Sequence, residues 1–250
     1  MLEGRPVVLK ERGVKGGGEG RVVQGVLPAP PEDDPFADRA GRLVITEDGA
    51  RLGVDLLYGV NTGLFLDARP MRAWVRQNSE ERRVLNLFSY TAAFGVAAAR
   101  GGARSTTNID LVPSALERGK ANYQLNDLPI DARGHVRSDV FKFLNKARKR
   151  GSTWDLVIVD PPPVPTKGRG RGGRGFDPRR DMQRVLEASL AVCATGGTVL
   201  ALSATKGSDR FEEPLAAAIA TDGRTWHQEP IARGDDFPGP EGLRAVVLSM

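Results

Sequence analysis

Apolar residues recur along this chain with two periods, and the periods alternate. Val84-Leu85-Asn86-Leu87-Phe88 is a compact apolar run that predicts a strand, and the Ala-rich stretch from Ala92 to Arg100 predicts a helix. Ser105 to Asp110, rich in β-branched residues, predicts a second strand. Pro113 then opens a helix to about Asn126, at a position where its missing N–H is harmless. His135 to Ser138 predicts a third strand, followed by a basic helix to about Arg150. Leu156-Val157-Ile158-Val159 is apolar without interruption, as expected for a strand covered on both faces. Asp177 caps the next helix, with Pro178 in its first turn, and Gly196-Gly197 is expected to end it. Thr198 to Leu202 predicts a fifth strand and Phe211 to Ala220 a further helix; about Thr225–Glu229 and Ala245–Ser249 are two closing strands.

This alternation predicts an α/β fold, a mostly parallel sheet with helices on both faces. The N-terminal part reads differently. Residues 1–40 are rich in Gly, Pro and charge and read as loop or linker, after which Leu43 to Leu56 reads as two strands around an Asp48-Gly49 turn. We expect residues 1–60 to form an N-terminal extension ending in a β-hairpin, and residues 61–250 to form the α/β domain.

In parallel sheets of this kind ligands bind beyond the carboxyl ends of the strands. Asp110 ends the second strand, where an acidic residue can accept hydrogen bonds from both hydroxyls of a ribose. Asp139 follows the third strand, within reach of an adenine amino group, and Asp160 ends the fourth, before Pro161-Pro162-Pro163. Singly, each aspartate reads as a helix or turn cap. Three at successive strand ends fit a ligand with a ribose, an exocyclic amine and a positive centre. The first turn, Ser89-Tyr90-Thr91-Ala92-Ala93-Phe94-Gly95, has one glycine where a dinucleotide site wants G-x-G-x-x-G. That favours a nucleoside without phosphates, and S-adenosylmethionine over a nicotinamide cofactor.

Thr62-Gly63-Leu64-Phe65-Leu66-Asp67-Ala68-Arg69, Leu85 to Thr91, Gly101 to Thr107, Asp160-Pro161-Pro162 and Phe176-Asp177 occur here in one order and spacing. As a set they resemble class I S-adenosylmethionine-dependent ribosomal RNA methyltransferases over roughly residues 42–250. The guanine-N7 methyltransferase half of a bifunctional large-subunit rRNA enzyme is the nearest type, and the rRNA cytosine-C5 enzymes are more distant. The resemblance implies a Rossmann-like, seven-stranded sheet with an antiparallel last strand. It implies that Asp67, Arg69, Asn86, Phe88, Ser89, Tyr90, Asp110, Leu111, Asp139, Val140 and Asp160 bind the methyl donor, and that Asp160, Pro161 and Pro162 position the acceptor. Two positions depart from the pattern. Ala92 stands where a glycine is usual, and Pro163-Val164 replace an aromatic residue after the proline turn.

Composition narrows the chemistry. The chain carries a net charge of +5, one cysteine and 6% aromatic residues. The single cysteine excludes an internal disulfide framework and fits a reducing compartment. Cytosine-C5 methylation needs an attacking thiolate, and neither Asp160–Pro163 nor Leu202–Thr205 contains one. Cys193 continues the apolar stripe Met182, Val185, Leu186, Ser189 and Leu190, so it is expected on the same helix, facing the core. Guanine N7 requires no thiolate and no base; an exocyclic nitrogen remains open as acceptor.

Lys167, Arg169, Arg171 and Arg174 lie in a glycine-spaced loop just after the proline turn, which points to RNA, either rRNA or an assembling ribosomal subunit. The second basic cluster, Lys142, Lys146, Arg148, Lys149 and Arg150, reads as a solvated helix face. Met1 to Lys10 has no apolar signal core and no apolar stretch is long enough to span a membrane, so a cytoplasmic location is expected. Residues 1–40 are too short and Gly/Pro-rich for a standard RNA-binding module. Two alternatives therefore stay open: a small-molecule methyltransferase and a non-catalytic RNA-binding relative.

Overall fold

The structure, a computed structural model, describes residues 7–10, 20–57, 61–166, 175–205, 209–237 and 242–250. Its centre is a seven-stranded sheet built from β5 (Arg83–Leu87), β6 (Ser105–Asp110), β7 (His135–Arg137), β8 (Trp154–Val159), β9 (Cys193–Ser203), β10 (His227–Ile231) and β11 (Arg244–Ser249). The spatial order is β10-β11-β9-β8-β5-β6-β7. Strands β5, β6, β7, β8 and β9 pair in parallel, and β11 runs antiparallel to both β9 and β10. This is the seven-stranded sheet expected from the sequence, with its antiparallel last strand.

Helices cover both faces because successive strand residues point to opposite sides. On one face Leu85, Leu87, Val157 and Val159 meet α4 (Val140–Lys149), α5 (Pro178–Leu190) and α6 (Asp209–Asp222). On the other, Val84, Leu156 and Ile158 meet α1 (Arg69–Gln77) and α2 (Ala93–Arg100). α3 (Pro113–Gln124) completes the second face beside β6. Helix α1 went unrecognised in the sequence. Its signals are Pro70 in the first turn and fully buried Met71 and Val75, four residues apart.

Two further ribbons precede the sheet. The hairpin of β3 (Arg42–Glu47) and β4 (Ala50–Asp55) forms as expected. Asp48 and Gly49 both have positive φ, 47° and 77°, the two-residue turn that matches strand twist. Leu52 and Val54 pack with Ala92, Val96 and Tyr123, which seats the hairpin on α2 and α3. Upstream, β1 (Val7–Lys10) and β2 (Gly20–Gln24) pair antiparallel, where only loop was expected. The short runs Val7-Val8-Leu9 and Val22-Val23 were outweighed by the surrounding glycines and charges.

A buried charge cluster ties this N-terminal region together. Arg42, with a fully buried side chain, binds Asp34 at 2.6 Å and Asp55 at 3.4 Å, and Asp55 also meets Arg118 of α3 at 3.0 Å. The guanidinium of Arg42 lies so close to Gly53 that a Cβ there would fall 1.8 Å from it.

The expectation for Cys193 needs correction. Helix α5 ends at Leu190, and Cys193 is the first residue of β9, buried against the same core. Gly196 and Gly197 do not end the helix. They lie within β9, where the pairing with β8 shifts register between Trp154 and Leu156, and Gly196 takes φ +73°. The apolar spacing continues through the chain reversal because Val192 and Cys193 are buried on both sides of it.

Candidate active site

The carboxyl ends of β5, β6, β7 and β8 share one edge of the sheet because these strands are parallel. Strand β5 ends at Leu87, one residue earlier than its apolar run suggests, and the chain then turns through Phe88-Ser89-Tyr90-Thr91-Ala92. Phe88, Tyr90 and Ala92 all have positive φ, at 57°, 48° and 57°. Non-glycine residues adopt this conformation at a cost of about 1–2 kcal/mol each, so the surroundings must enforce it. They do. Ser89 N donates to Ile109 O at 2.9 Å, Ala92 N to Ser89 O at 2.7 Å, and Thr91 Oγ1 to Gly63 O at 2.6 Å. Asn122 Nδ2 closes the far side by donating to Thr91 O at 2.9 Å. Ala92 is fully buried, and a Cβ on Gly119 of α3 would lie 3.1 Å from the Ala92 Cβ. The methyl that replaces the usual glycine therefore faces the core beside α3.

Asp110 is the anchor of the turn. Its Oδ2 accepts from Tyr90 N and its Oδ1 from Val112 N, both at 2.8 Å. Two backbone donors thus fix the orientation of the carboxylate at the end of β6. Leu111 beside it is half-buried. Ser89 Oγ, buried at this edge, has no hydrogen-bond partner among the described residues, and neither has Thr205 Oγ1 just beyond β9. Buried polar atoms without partners are costly unless a ligand or water meets them.

The other predicted residues divide into groups. Asp139 caps α4, with Oδ1 accepting from Lys142 N at 3.0 Å, and Val140 is buried below it. The Phe88 ring meets Phe176 edge-on at 5.0 Å, and Phe141 stacks on Phe176 at 6.4 Å, forming one aromatic wall. Asn86 is only 1% exposed and donates to Asn108 Oδ1 at 2.9 Å. Asn108 in turn donates to the Tyr123 hydroxyl, and Gly95 of α2 lies directly over this network. The Asn86 amide nitrogen thus supports the β5–β6 pair beneath α2, while its Oδ1 is buried without a hydrogen-bond partner among the described residues. Arg69, expected at the site, points to Asp236 in an exposed pair at 2.6 Å.

Asp160 follows β8, with buried Pro161 next in the chain. Burial pushes its carboxyl up to about 7, the nearby Asp67 carboxylate adds to the shift, and Arg72 offsets part of it. Arg72 is held by Glu47 of the hairpin at 2.6 Å and by the Phe65 carbonyl at 2.9 Å. Phe65 stands half-exposed over Tyr90, with ring centroids 5.8 Å apart. Beyond the prolines, Thr166 N donates to Phe176 O at 2.8 Å and Phe176 N to Thr166 Oγ1 at 3.0 Å. This clasp brings the two flanks of the basic loop together beside the aromatic wall. Lys167, Arg169, Arg171 and Arg174 themselves lie outside the described residues.

Neither a thiol nor an imidazole reaches this edge among the described residues. Cys193 begins β9 opposite Trp154, at the amino end of β8 and so at the far side of the sheet from Asp160. Burial pushes its thiol up to about 11, which keeps it protonated at neutral pH. His135 starts β7 at that same far side and packs edge-on against Tyr123, and burial pushes it down to about 4. No cluster of potential metal ligands occurs among the described residues.

The profile of the S-adenosylmethionine-dependent methyltransferase family matches residues 38–220. The chain belongs to this family. It is 34% identical over 223 residues to a ribosomal RNA large subunit methyltransferase of Deinococcus radiodurans, matching 86% of this chain and 54% of that protein. It is 39% identical over 210 residues to ribosomal RNA large subunit methyltransferase I of Serratia proteamaculans, with 80% and 52% matched. The chain thus spans about half the length of the curated relatives it matches. Among solved structures, a methyltransferase in complex with SAH superposes with a TM-score of 0.79 at 26% identity, over 92% of this chain and 59% of that one. An S-adenosylmethionine-dependent methyltransferase from Agrobacterium tumefaciens gives a TM-score of 0.77 at 20% identity, over 97% and 76%, which shows the shared fold. The cofactor of this methyltransferase family is S-adenosylmethionine, and the aimed Asp110 carboxylate and the unpartnered Ser89 hydroxyl suit its nucleoside.

Proposed function

We propose that this methyltransferase modifies RNA, with a guanine N7 of large-subunit rRNA as acceptor, and that no covalent cysteine intermediate forms. The observation that carries the chemistry is the position of Cys193, buried at the opposite edge of the sheet from Asp160. The ribosomal RNA acceptor rests on the relatives, two of which are named large-subunit rRNA methyltransferases. Naked rRNA and an assembling subunit are both compatible partners.

Bound S-adenosylmethionine supplies an electrophilic methyl group. Asp110 holds the ribose hydroxyls, and Asp139 takes the adenine amino group with the oxygen that does not cap α4. Ser89, Tyr90, Leu111 and Val140 border the nucleoside, Phe88 closes the wall towards α4, and Asp67 and Asp160 face its charged end. Guanine N7 presents an in-plane lone pair with no proton to remove, so alignment suffices. Asp160 and the backbone carbonyls of the Pro161-Pro162 turn accept hydrogen bonds from the N–H groups of the base and fix that alignment. Lys167, Arg169, Arg171 and Arg174 contact the phosphates around it.

The test uses deuterated-methyl S-adenosylmethionine, large-subunit rRNA transcripts and nucleoside mass spectrometry. We expect label in 7-methylguanosine with the wild-type enzyme and undiminished label with Cys193→Ala or Cys193→Ser. Label in 5-methylcytidine, or its loss in both cysteine variants while they remain folded, would overturn the proposal.

A further inference from the structure

Several arginines of this protein are paired with carboxylates. Arg42, Arg51, Arg69, Arg72, Arg83, Arg118 and Arg224 each pair with a carboxylate. Helix α4 carries a cluster of cations that is not so paired. Lys142, Lys146, Arg148, Lys149 and Arg150 are all exposed, none makes an ion pair among the described residues, and the segment from Val140 to Arg150 contains no acidic residue. Lys142, Lys146 and Lys149 follow one another at steps of four and three, so they form one stripe along the helix. Val140, Leu144 and Ala147 bury the opposite face.

From the sequence alone this cluster reads as a solvated face. The fold adds a direction to it. Because α4 follows β7, its amino end, with Lys142, lies at the carboxyl edge of the sheet. There the Arg184 guanidinium of α5, 3.7 Å from the Asp181 carboxylate, sits 4.6 Å above the ring of Phe141, the residue before Lys142. Phe141 stacks on Phe176, whose backbone is clasped to Thr166. The stripe of Lys149, Lys146 and Lys142 thus runs towards the amino end of α4, where Phe141 meets Phe176 and Arg184 at the site edge. The acids near it, Asp139 and Asp181, are turned to a helix cap and to arginines of α5.

We propose that the α4 stripe, with Arg184 at its head, is a phosphate-binding track that guides an RNA strand to the site. Evenly spaced, unpaired cations on a rigid helix contact a phosphodiester backbone without reading sequence. The proposal rests on the RNA reading given above and extends it to a surface.

The experiment measures binding of a short fluorescein-labelled single-stranded RNA of mixed sequence by anisotropy across a salt series. Lys142→Gln/Lys146→Gln is compared with Arg104→Gln/Arg133→Gln, which removes the same charge from exposed positions beside the amino ends of β6 and β7. Each lost phosphate contact lowers the slope of log K against log salt by about 0.7. The α4 pair should lose about 1.4 in slope and ~25-fold in affinity at about 0.1 M salt. The control pair should change little, and S-adenosylmethionine affinity should hold in both as the check on folding. Equal losses in the two pairs, or none in the α4 pair, would overturn the track while leaving RNA binding intact. Wild-type protein that binds no RNA even at low salt would overturn the RNA reading, and the track with it.

Discussion

Asp160 offers a measurement on the free protein that needs no substrate. Burial and Asp67 push its carboxyl up to about 7, against 3.8 for an exposed aspartate. Between those two values the folded state holds a proton that the unfolded state has released, so the contribution of this group to stability falls as pH rises from about 4 to about 7 and then levels off. A shift of about three units at about 1.4 kcal/mol each bounds the loss at ~4 kcal/mol. Asp160 keeps partial solvent contact, so about 2 kcal/mol is the working magnitude. Asp160→Asn has nearly the same shape and cannot ionise. Urea unfolding of both proteins at about pH 4.5 and 8 should show the wild type losing about 2 kcal/mol more than the variant over that interval. A wild-type-minus-variant difference that does not change with pH would refute the assignment of a strained carboxylate at this edge.

Two other substitutions probe the construction around the site. Asp110→Ala should weaken S-adenosylmethionine binding at least tenfold by titration calorimetry, through loss of hydrogen bonds to a charged acceptor; Asp110→Asn removes the charge and keeps one of the two acceptors that meet Tyr90 N and Val112 N, and unchanged affinity in both variants would remove the ribose role. Arg42→Met should destabilise the protein by about 3–5 kcal/mol in denaturant unfolding, because Asp34 loses its buried partner and Asp55 one of its cations. A cost below about 1 kcal/mol would mean that water reaches those carboxylates.

What the sequence made legible was chiefly what periodicity and turn chemistry encode. The uninterrupted run Leu156 to Val159 is a strand buried on both faces, the β-branched run from Ser105 to Asp110 is β6, and the Asp48-Gly49 pair is a two-residue hairpin turn. Periodicity misled where burial continues across a change of element, as from Leu190 to Cys193, because an apolar stripe does not mark its own end. The site was legible as a set of aspartates at strand ends. How each is used was not. Positive φ at Phe88, Tyr90 and Ala92 is imposed by contacts from Ile109, Gly63 and Asn122, which lie far apart in sequence. The turning of Arg69 to Asp236 and of Asn86 to Asn108 likewise depends on partners that only the fold brings near.

The proposed activity is methylation of an RNA guanine at N7 without a cysteine nucleophile. The most direct test compares nucleosides from the large-subunit rRNA of a strain lacking this protein with those of its parent, by mass spectrometry. 7-Methylguanosine should fall at one site and return when the wild-type or the Cys193→Ser protein is restored. An unchanged set of methylated nucleosides, or a loss confined to 5-methylcytidine, would contradict it.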